Sequence, residues 1–308
     1  MSIAGLPSPK ASFRQALTSD GSLQKRLLVG ALVCFCLLIV FHIGLVGTTW
    51  GHQLDADAYL GRGAFSRKVM ILDAVLLMRV TDATVIGLAG LLLLIGIVRR
   101  SILVGVMAAA GFGAAVGGAE ILKQVFPWQA LVPDDARLGE DLQFGTYPSG
   151  HATIGTAFVL GLLLVSSARW RPWLAVVAGA VSSAFTAGVL FDGWHRGSDA
   201  LGALAWSGLC MNLAASLAVR FGGRPTISKN NQAVLYSVGV GVAMIAGMFL
   251  ISLTAAHQYP YGDLPFFVLA ALIIAGSFSL TAWYAWQLRD IEFSKARIGR
   301  DDRERNVP

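Results

Sequence analysis

Charged side chains are scarce in this chain, making up 14% of its 308 residues, while 55% are hydrophobic. That balance excludes a soluble globular domain of ordinary composition. Cysteine is nearly missing as well. Its three copies, Cys34, Cys36 and Cys210, all fall inside apolar stretches, where they read as small buried hydrophobes rather than as a disulfide framework or a thiolate metal site. There is no internal repeat and no low-complexity region. No small-residue cleavage pattern follows the first apolar run, which is too long for a signal-peptide core and reads as a retained anchor. Carboxylate clusters and paired histidines on one helix are also lacking, so nothing argues for a metal and no cofactor is expected.

What the chain does have is long apolar runs. A helix crossing a bilayer needs about 20 such residues, and runs of that kind occupy 27–48, 82–98, 102–122, 152–168, 173–191, 200–219, 233–254 and 265–287. Isolated strands cannot satisfy their backbone in lipid, so all eight are expected to be helical. Residues 69–81, VMILDAVLLMRVT, carry Asp73 and Arg79 and read as an interfacial amphipathic helix. The stretch RFGGRPTISKNNQ separates six spans from a final pair. The expected fold is therefore an all-α integral membrane protein, with a six-helix core and two additional C-terminal transmembrane helices. Its divisions are an N-terminal tail 1–26, the core 27–220, a linker 221–232, the helix pair 233–288 and a charged tail 289–308.

Basic residues set the orientation. With the N-terminus in the cytoplasm, the inside segments hold Lys10, Arg14, Lys25, Arg26, Arg99, Arg100, Arg169, Arg171, Arg220, Arg224, Lys229 and the basic tail, against a thinner set outside. This asymmetry places both termini in the cytoplasm. The net charge of +6 is then a matter of topology and anionic membrane lipids, and implies no nucleic-acid partner. The last two helices are a possible surface for a membrane-protein partner.

That topology brings three distant polar segments to one outer surface. Glu120 and Lys123 close the third span, TYPSGHATIG opens the fourth, and FDGWHRGSD joins the fifth to the sixth. In the second segment Ser149 can cap a helix, Gly150 lets a ligand approach the backbone, and the N–H groups that follow make an anion site. The bland alternative is a capped helix with an incidental His151. In the third segment His195 and Asp199 stand four apart, so the carboxylate can hold one imidazole nitrogen and aim the other. Here the alternative is an interfacial histidine beside a capping aspartate. Lys123 is either an ion-pair partner of Glu120 or a phosphate contact, and Arg196 either a phosphate contact or a headgroup contact. Gly113 and Gly117, in GxxxG spacing, point to close helix packing. Two histidines, one held by a carboxylate, with an anion-binding helix start and a lysine, fit phosphoryl transfer through a phosphohistidine. Histidine, with an ordinary pKa of about 6.5, serves as nucleophile and as acid near neutrality.

At these residues the chain resembles the type-2 phosphatidic acid phosphatase superfamily, the lipid phosphate phosphatases. PSGH, Pro148 to His151, matches that family's second motif, and His195 with Asp199 matches the end of its third. The resemblance spans roughly 25–220 and implies a six-helix core acting on a lipid or polyprenyl phosphate or pyrophosphate at the extracytoplasmic face. It implies His195 as nucleophile, Asp199 as its orienter and His151 as the acid, with Lys123, Ser149 and Gly150 cradling the phosphate. Both family arginines are missing. The chain reads KQVFPWQALVP after Lys123, without Arg-Pro, and has Gly188 and Val189 where the family has Ser-Arg. A guanidinium grips phosphate by two parallel bonds that lysine cannot copy, and the loss of one such donor costs on the order of 100–1,000-fold in rate. Arg137 and Arg196 are the expected replacements. The competing expectation is a catalytically impaired protein that keeps the fold as a lipid-binding or structural subunit. A phospholipid transporter is a weaker third, since no discontinuous helix pair supports it.

Overall fold

The computed structural model describes residues 9–62, 77–126, 146–222, 224–225, 237, 239–244, 246, 264–289 and 291–293. Helix α1 (Pro9–Phe41) runs into a π-helical turn at His42–Val46 and is followed by the short α2 (Thr49–Gly61). Two antiparallel helices come next, α3 (Asp82–Val98) and α4 (Ile102–Val125), then α5 (Gly150–Val165), α6 (Arg171–Phe191), α7 (Gly197–Gly222) and α8 (Leu264–Gln287). Among the described residues, five stretches are long and apolar enough to cross a membrane: Gly21–Val46, Ile102–Val125, Arg171–Phe191, Gly197–Phe221 and Leu264–Gln287. Two apolar helices are shorter, Asp82–Val98 and Gly150–Val165. The chain is an all-α protein of membrane character. The interfacial segment expected at 69–81 and the span expected at 233–254 lie largely outside the described residues.

The helix ends follow from local chemistry. Thr81 caps α3 by accepting from the Thr84 N–H at 3.3 Å, and Thr48 caps α2 by accepting from Gly51 at 3.0 Å. Pro172 sits in the first turn of α6, where its missing N–H costs nothing. Helix α7 is the centre of the bundle, and α1, α4, α5, α6 and α8 all pack on it. Outward rows such as Leu28, Leu32, Val98 and Ile121 stay exposed, as lipid-facing side chains must.

Glycine packing differs from expectation. A Cβ at Gly113 or Gly117 would meet nothing within 4 Å, whereas one at Gly111 would lie 2.6 Å from the Ala214 methyl and one at Gly118 only 2.3 Å from the Trp206 ring. The row Phe112, Ala115 and Ala119 is fully buried and fixes the inward face of α4. That face turns the GxxxG pair outward.

Helix α8 is no appendage. Its Ser277 hydroxyl bonds Thr186 of α6 at 3.0 Å, and the buried Tyr284 hydroxyl donates to the Met211 carbonyl of α7 at 3.0 Å. The residues just after it, the expected start of the charged tail 289–308, are docked on the bundle. Ile291 and Glu292 pair antiparallel with Arg224 and Pro225, and Ile291 and Phe293 are buried. Glu292 meets Arg99 at 2.6 Å and accepts from the Ala168 N–H at 2.9 Å. Arg171, also buried, donates to the carbonyls of Leu163, Leu288 and Ile291. This latch joins the α3–α4 turn, the α5–α6 turn and the segment after α8 at one end of the bundle. The polar groups singled out in the sequence gather at the other.

Candidate functional site

The C-terminus of α4, the N-terminus of α5 and the turn from α6 to α7 converge because alternate helices run antiparallel. Between them lies a cavity of about 650 Å³ whose lining includes Lys123, Gly150, His151 and His195. Glu120 shares the wall, and Val80, Val85, Ile86, Val116 and Ile154 form its apolar side. The lining therefore combines a polar set, Lys123, two imidazoles, Thr81 and the carboxylates of Asp82 and Glu120, with a hydrocarbon-like side, as a long-chain ligand with a polar headgroup would need.

His195 is held from behind. Its Nδ1 lies 3.3 Å from Asp199 Oδ2, which leaves Nε2 as the free nitrogen of the ring. The same Asp199 oxygen accepts from the Thr146 hydroxyl at 2.7 Å and from the Arg196 N–H at 3.2 Å. Asp199 is 2% exposed and lies in the first turn of α7, where the helix dipole favours its negative charge. Thr146 thus joins the site from just ahead of the PSGH stretch, a role the sequence pattern did not single out.

Ser149 caps α5 as its position implies: its Oγ accepts from the Ala152 N–H at 3.4 Å, and its own N–H donates to the Asp199 carbonyl at 3.0 Å. Fully buried, it stands behind the cavity wall. The backbone bond locks the His151 segment to the His195 segment, so the two imidazoles share one rigid frame. His151 faces the edge of Trp194, ring centroids 5.2 Å apart in a T-shaped contact. Gly150 leaves room beside the Lys123–Glu120 pair, where a Cβ would lie 3.1 Å from Glu120 Oε1 and 3.6 Å from Lys123 Nζ.

Lys123 bonds Glu120 at 2.7 Å while still lining the cavity. The ion-pair reading of this lysine is present in the structure, and it leaves two of the three ammonium donors available to a ligand. Arg196 is 2% exposed and stands behind the wall with Asp199. Arg137 lies outside the described residues.

A second carboxylate sits beside this frame. Asp55 of α2, 1% exposed, accepts from the Ser198 N–H at 3.0 Å and from the Ser198 hydroxyl. Burial pushes its carboxyl up to about 6, against the opposing pull of the Ser198 hydrogen bonds, with Asp199 adding to the rise and Arg196 reducing it. Sequence reasoning missed Asp55 because its partner lies 143 positions away. The available signal was the row His52, Asp55, Tyr59 and Arg62, whose spacing of three and four puts polar groups on one face of a short helix.

The arrangement can bind a phosphoryl group between a lysine, a helix start and two imidazoles, one of them oriented for attack. Neither a protein-family model, nor a curated protein, nor a solved structure matches this chain, so the geometry and the motif resemblance carry the functional reading together.

Proposed function

We propose that this chain is a membrane-embedded phosphatase that hydrolyses a lipid or polyprenyl phosphate or pyrophosphate at the extracytoplasmic face. The observation that carries this reading is the placement of His151 and His195, 44 positions apart in sequence, on one cavity with Lys123. The positive-inside bias of the sequence supports an orientation with both termini in the cytoplasm and the cavity on the far side.

In the first step His195 Nε2 attacks phosphorus, an N–P bond forms and the bond from phosphorus to the lipid oxygen breaks. His151 in its protonated form gives its proton to the departing oxygen; burial, with His195 and Lys123 adding to the fall against Glu120, holds this imidazole below its ordinary pKa, so the step favours the acid side of neutrality. Asp199 holds Nδ1–H and stabilises the positive charge that grows on the ring, while Lys123 and the α5 backbone balance the phosphoryl oxygens. In the second step a water attacks phosphorus, neutral His151 takes the water proton, the N–P bond breaks and inorganic phosphate leaves. His195 returns to its starting form. The apolar side chains of Val80, Val85, Ile86, Val116 and Ile154 take the start of the hydrocarbon chain.

The impaired-subunit reading also has one observation in its favour: among the described residues, no arginine lines the cavity. One experiment separates the two. The purified protein is incubated with a panel of lipid phosphates and polyprenyl pyrophosphate, and phosphate release is compared with that of His195→Ala. Release that the variant abolishes, with an acid-labile phosphoenzyme trapped on the intact protein, supports the phosphatase. Binding of the same lipids without release, equal in both proteins, supports the subunit.

A further inference from the structure

Helix α2 carries none of the motifs, yet one of its faces is given over to the loop that bears His195. Asp55, Tyr59 and Arg62 follow one another at spacings of four and three and so share that face. Its contacts fall on both sides of the histidine. Two residues before it, the Tyr59 hydroxyl donates to the Gly193 carbonyl at 2.9 Å. Three residues after it, Asp55 accepts from both the N–H and the hydroxyl of Ser198.

Arg62 closes the same side as Tyr59. Its guanidinium carbon lies 3.8 Å from the Tyr59 ring centroid, and Nη1 donates to the Tyr59 carbonyl at 2.6 Å. Gly193 has φ +70°, and a Cβ there would come within 2.4 Å of Arg62 Nε. Glycine at this position is therefore required by its backbone, and the Arg62 side chain lies close against it. Helix α2 in turn is seated on α8 and on the π-helical turn after α1, so the loop is held against the bundle rather than against a free arm.

The bond at Ser198 has a specific physical role. The first-turn N–H groups of a helix lack intrahelical partners, and at α7 those donors are divided between two carboxylates: Arg196 N–H goes to Asp199 and Ser198 N–H to Asp55. Asp55 thereby fixes where α7 begins. The start of α7 sets the direction in which Asp199 presents its oxygen to His195.

We infer that α2 is a brace that aims His195, with Asp55 and Tyr59 as positioning residues acting through the 193–198 loop. The inference rests on the phosphatase reading for its kinetic consequence but not for its structural one. A reacting atom displaced by about 1 Å costs on the order of 100-fold in rate, so loosening the brace acts on kcat while leaving the lipid contacts that set KM.

The test uses the full-length protein in detergent with Tyr59→Phe, Asp55→Ala and Asp55→Asn. The asparagine keeps an oxygen for the Ser198 N–H and serves as the conservative rescue. Two readouts are taken on each: phosphate release, split into kcat and KM, and amide hydrogen exchange across 192–199. The brace predicts that Tyr59→Phe and Asp55→Ala lower kcat about 10–100-fold, change KM less than twofold, and speed exchange in 192–199 while α4 and α5 exchange as before; Asp55→Asn recovers most of both. Unchanged exchange at 192–199 in Tyr59→Phe and Asp55→Ala overturns it, as does acceleration spread evenly through the bundle. If the wild-type protein releases no phosphate from any lipid, the phosphatase reading falls and the exchange pattern alone decides the brace.

Discussion

Asp199 Oδ2 is the shared acceptor of three donors, and His195 Nδ1, at 3.3 Å, is the longest of the contacts behind the Thr146 hydroxyl at 2.7 Å and the Arg196 N–H at 3.2 Å. The carboxylate is thus fixed by its own surroundings before it orients the imidazole. Replacing it with asparagine keeps the shape and loses the charge that stabilises the imidazolium. Asp199→Asn is expected to lower kcat on the order of 100–10,000-fold with a much smaller change in KM. Thr146→Val removes one hydrogen bond to a charged group, about 1.5–3 kcal/mol, and is expected to cost less than Asp199→Asn. Steady-state kinetics on one lipid phosphate measures both.

Gly150 marks the end of the cavity that carries the Lys123–Glu120 pair. A methyl there would lie 3.1 Å from Glu120 Oε1 and 3.6 Å from Lys123 Nζ, and both are ends of flexible side chains that can give way. Gly150→Ala is therefore expected to fold normally and to raise KM several-fold by filling space meant for a phosphoryl oxygen. Gly150→Val, larger and β-branched, is expected to raise it further. Unfolding temperature measured beside KM separates a filled site from a damaged fold.

The site was legible in the sequence to the extent that it depends on local chemistry and on antiparallel alternation. Ser149 as cap and Asp199 four residues after His195 follow from spacing alone, and the counting of spans is what brings Lys123, His151 and His195 to one end. Asp55 and Tyr59 were not legible in the same way, because their partners, Ser198 and Gly193, lie 143 and 134 positions away and no periodicity reports a contact of that range. The GxxxG spacing of Gly113 and Gly117 misled for a related reason. Which face of α4 turns inward is set by Phe112, Ala115 and Ala119 against α7, and the glycines that sit on that face are Gly111 and Gly118. The docking of 291–293 had a signal, the apolar alternation of Ile291 and Phe293 around Glu292, which the density of charge in the tail obscured.

Asp55 predicts a pH dependence of stability with a definite sign. Its carboxyl is raised from 3.8 to about 6 in the folded protein, by burial first and by Asp199, while Ser198 and Arg196 pull the other way. The fold binds the proton more tightly than the unfolded chain does. Stability from this group is therefore full below about pH 4 and declines as pH rises to about 6, a change on the order of 3 kcal/mol at 1.36 kcal/mol per pKa unit. Asp55→Asn cannot ionise, so its apparent Tm in detergent is expected to fall less between pH 4 and pH 7 than that of the wild type. Parallel Tm profiles for the two proteins would remove Asp55 as the source.

The opposite end of the bundle carries the reverse sign. Burial alone would raise the Glu292 carboxyl, but the Ala168 N–H and the Arg99 guanidinium outweigh it and hold it below the ordinary glutamate range. The stability this residue contributes is present above about pH 4.5 and is lost as pH falls through its lowered folded value. Glu292 is one-quarter exposed and its partner about one-fifth, so the pair is screened only in part, and Glu292→Gln is expected to cost about 1 kcal/mol. Ending the chain after Asp290 removes the buried Ile291 and Phe293 together with the latch and leaves Arg171 without the Ile291 carbonyl, so its loss of stability should be several times larger. Because the latch and the cavity lie at opposite ends of the helices, Glu292→Gln is expected to lower Tm while leaving KM for a lipid phosphate unchanged. A change in KM that matched the change in Tm would mean that the two ends move as one unit.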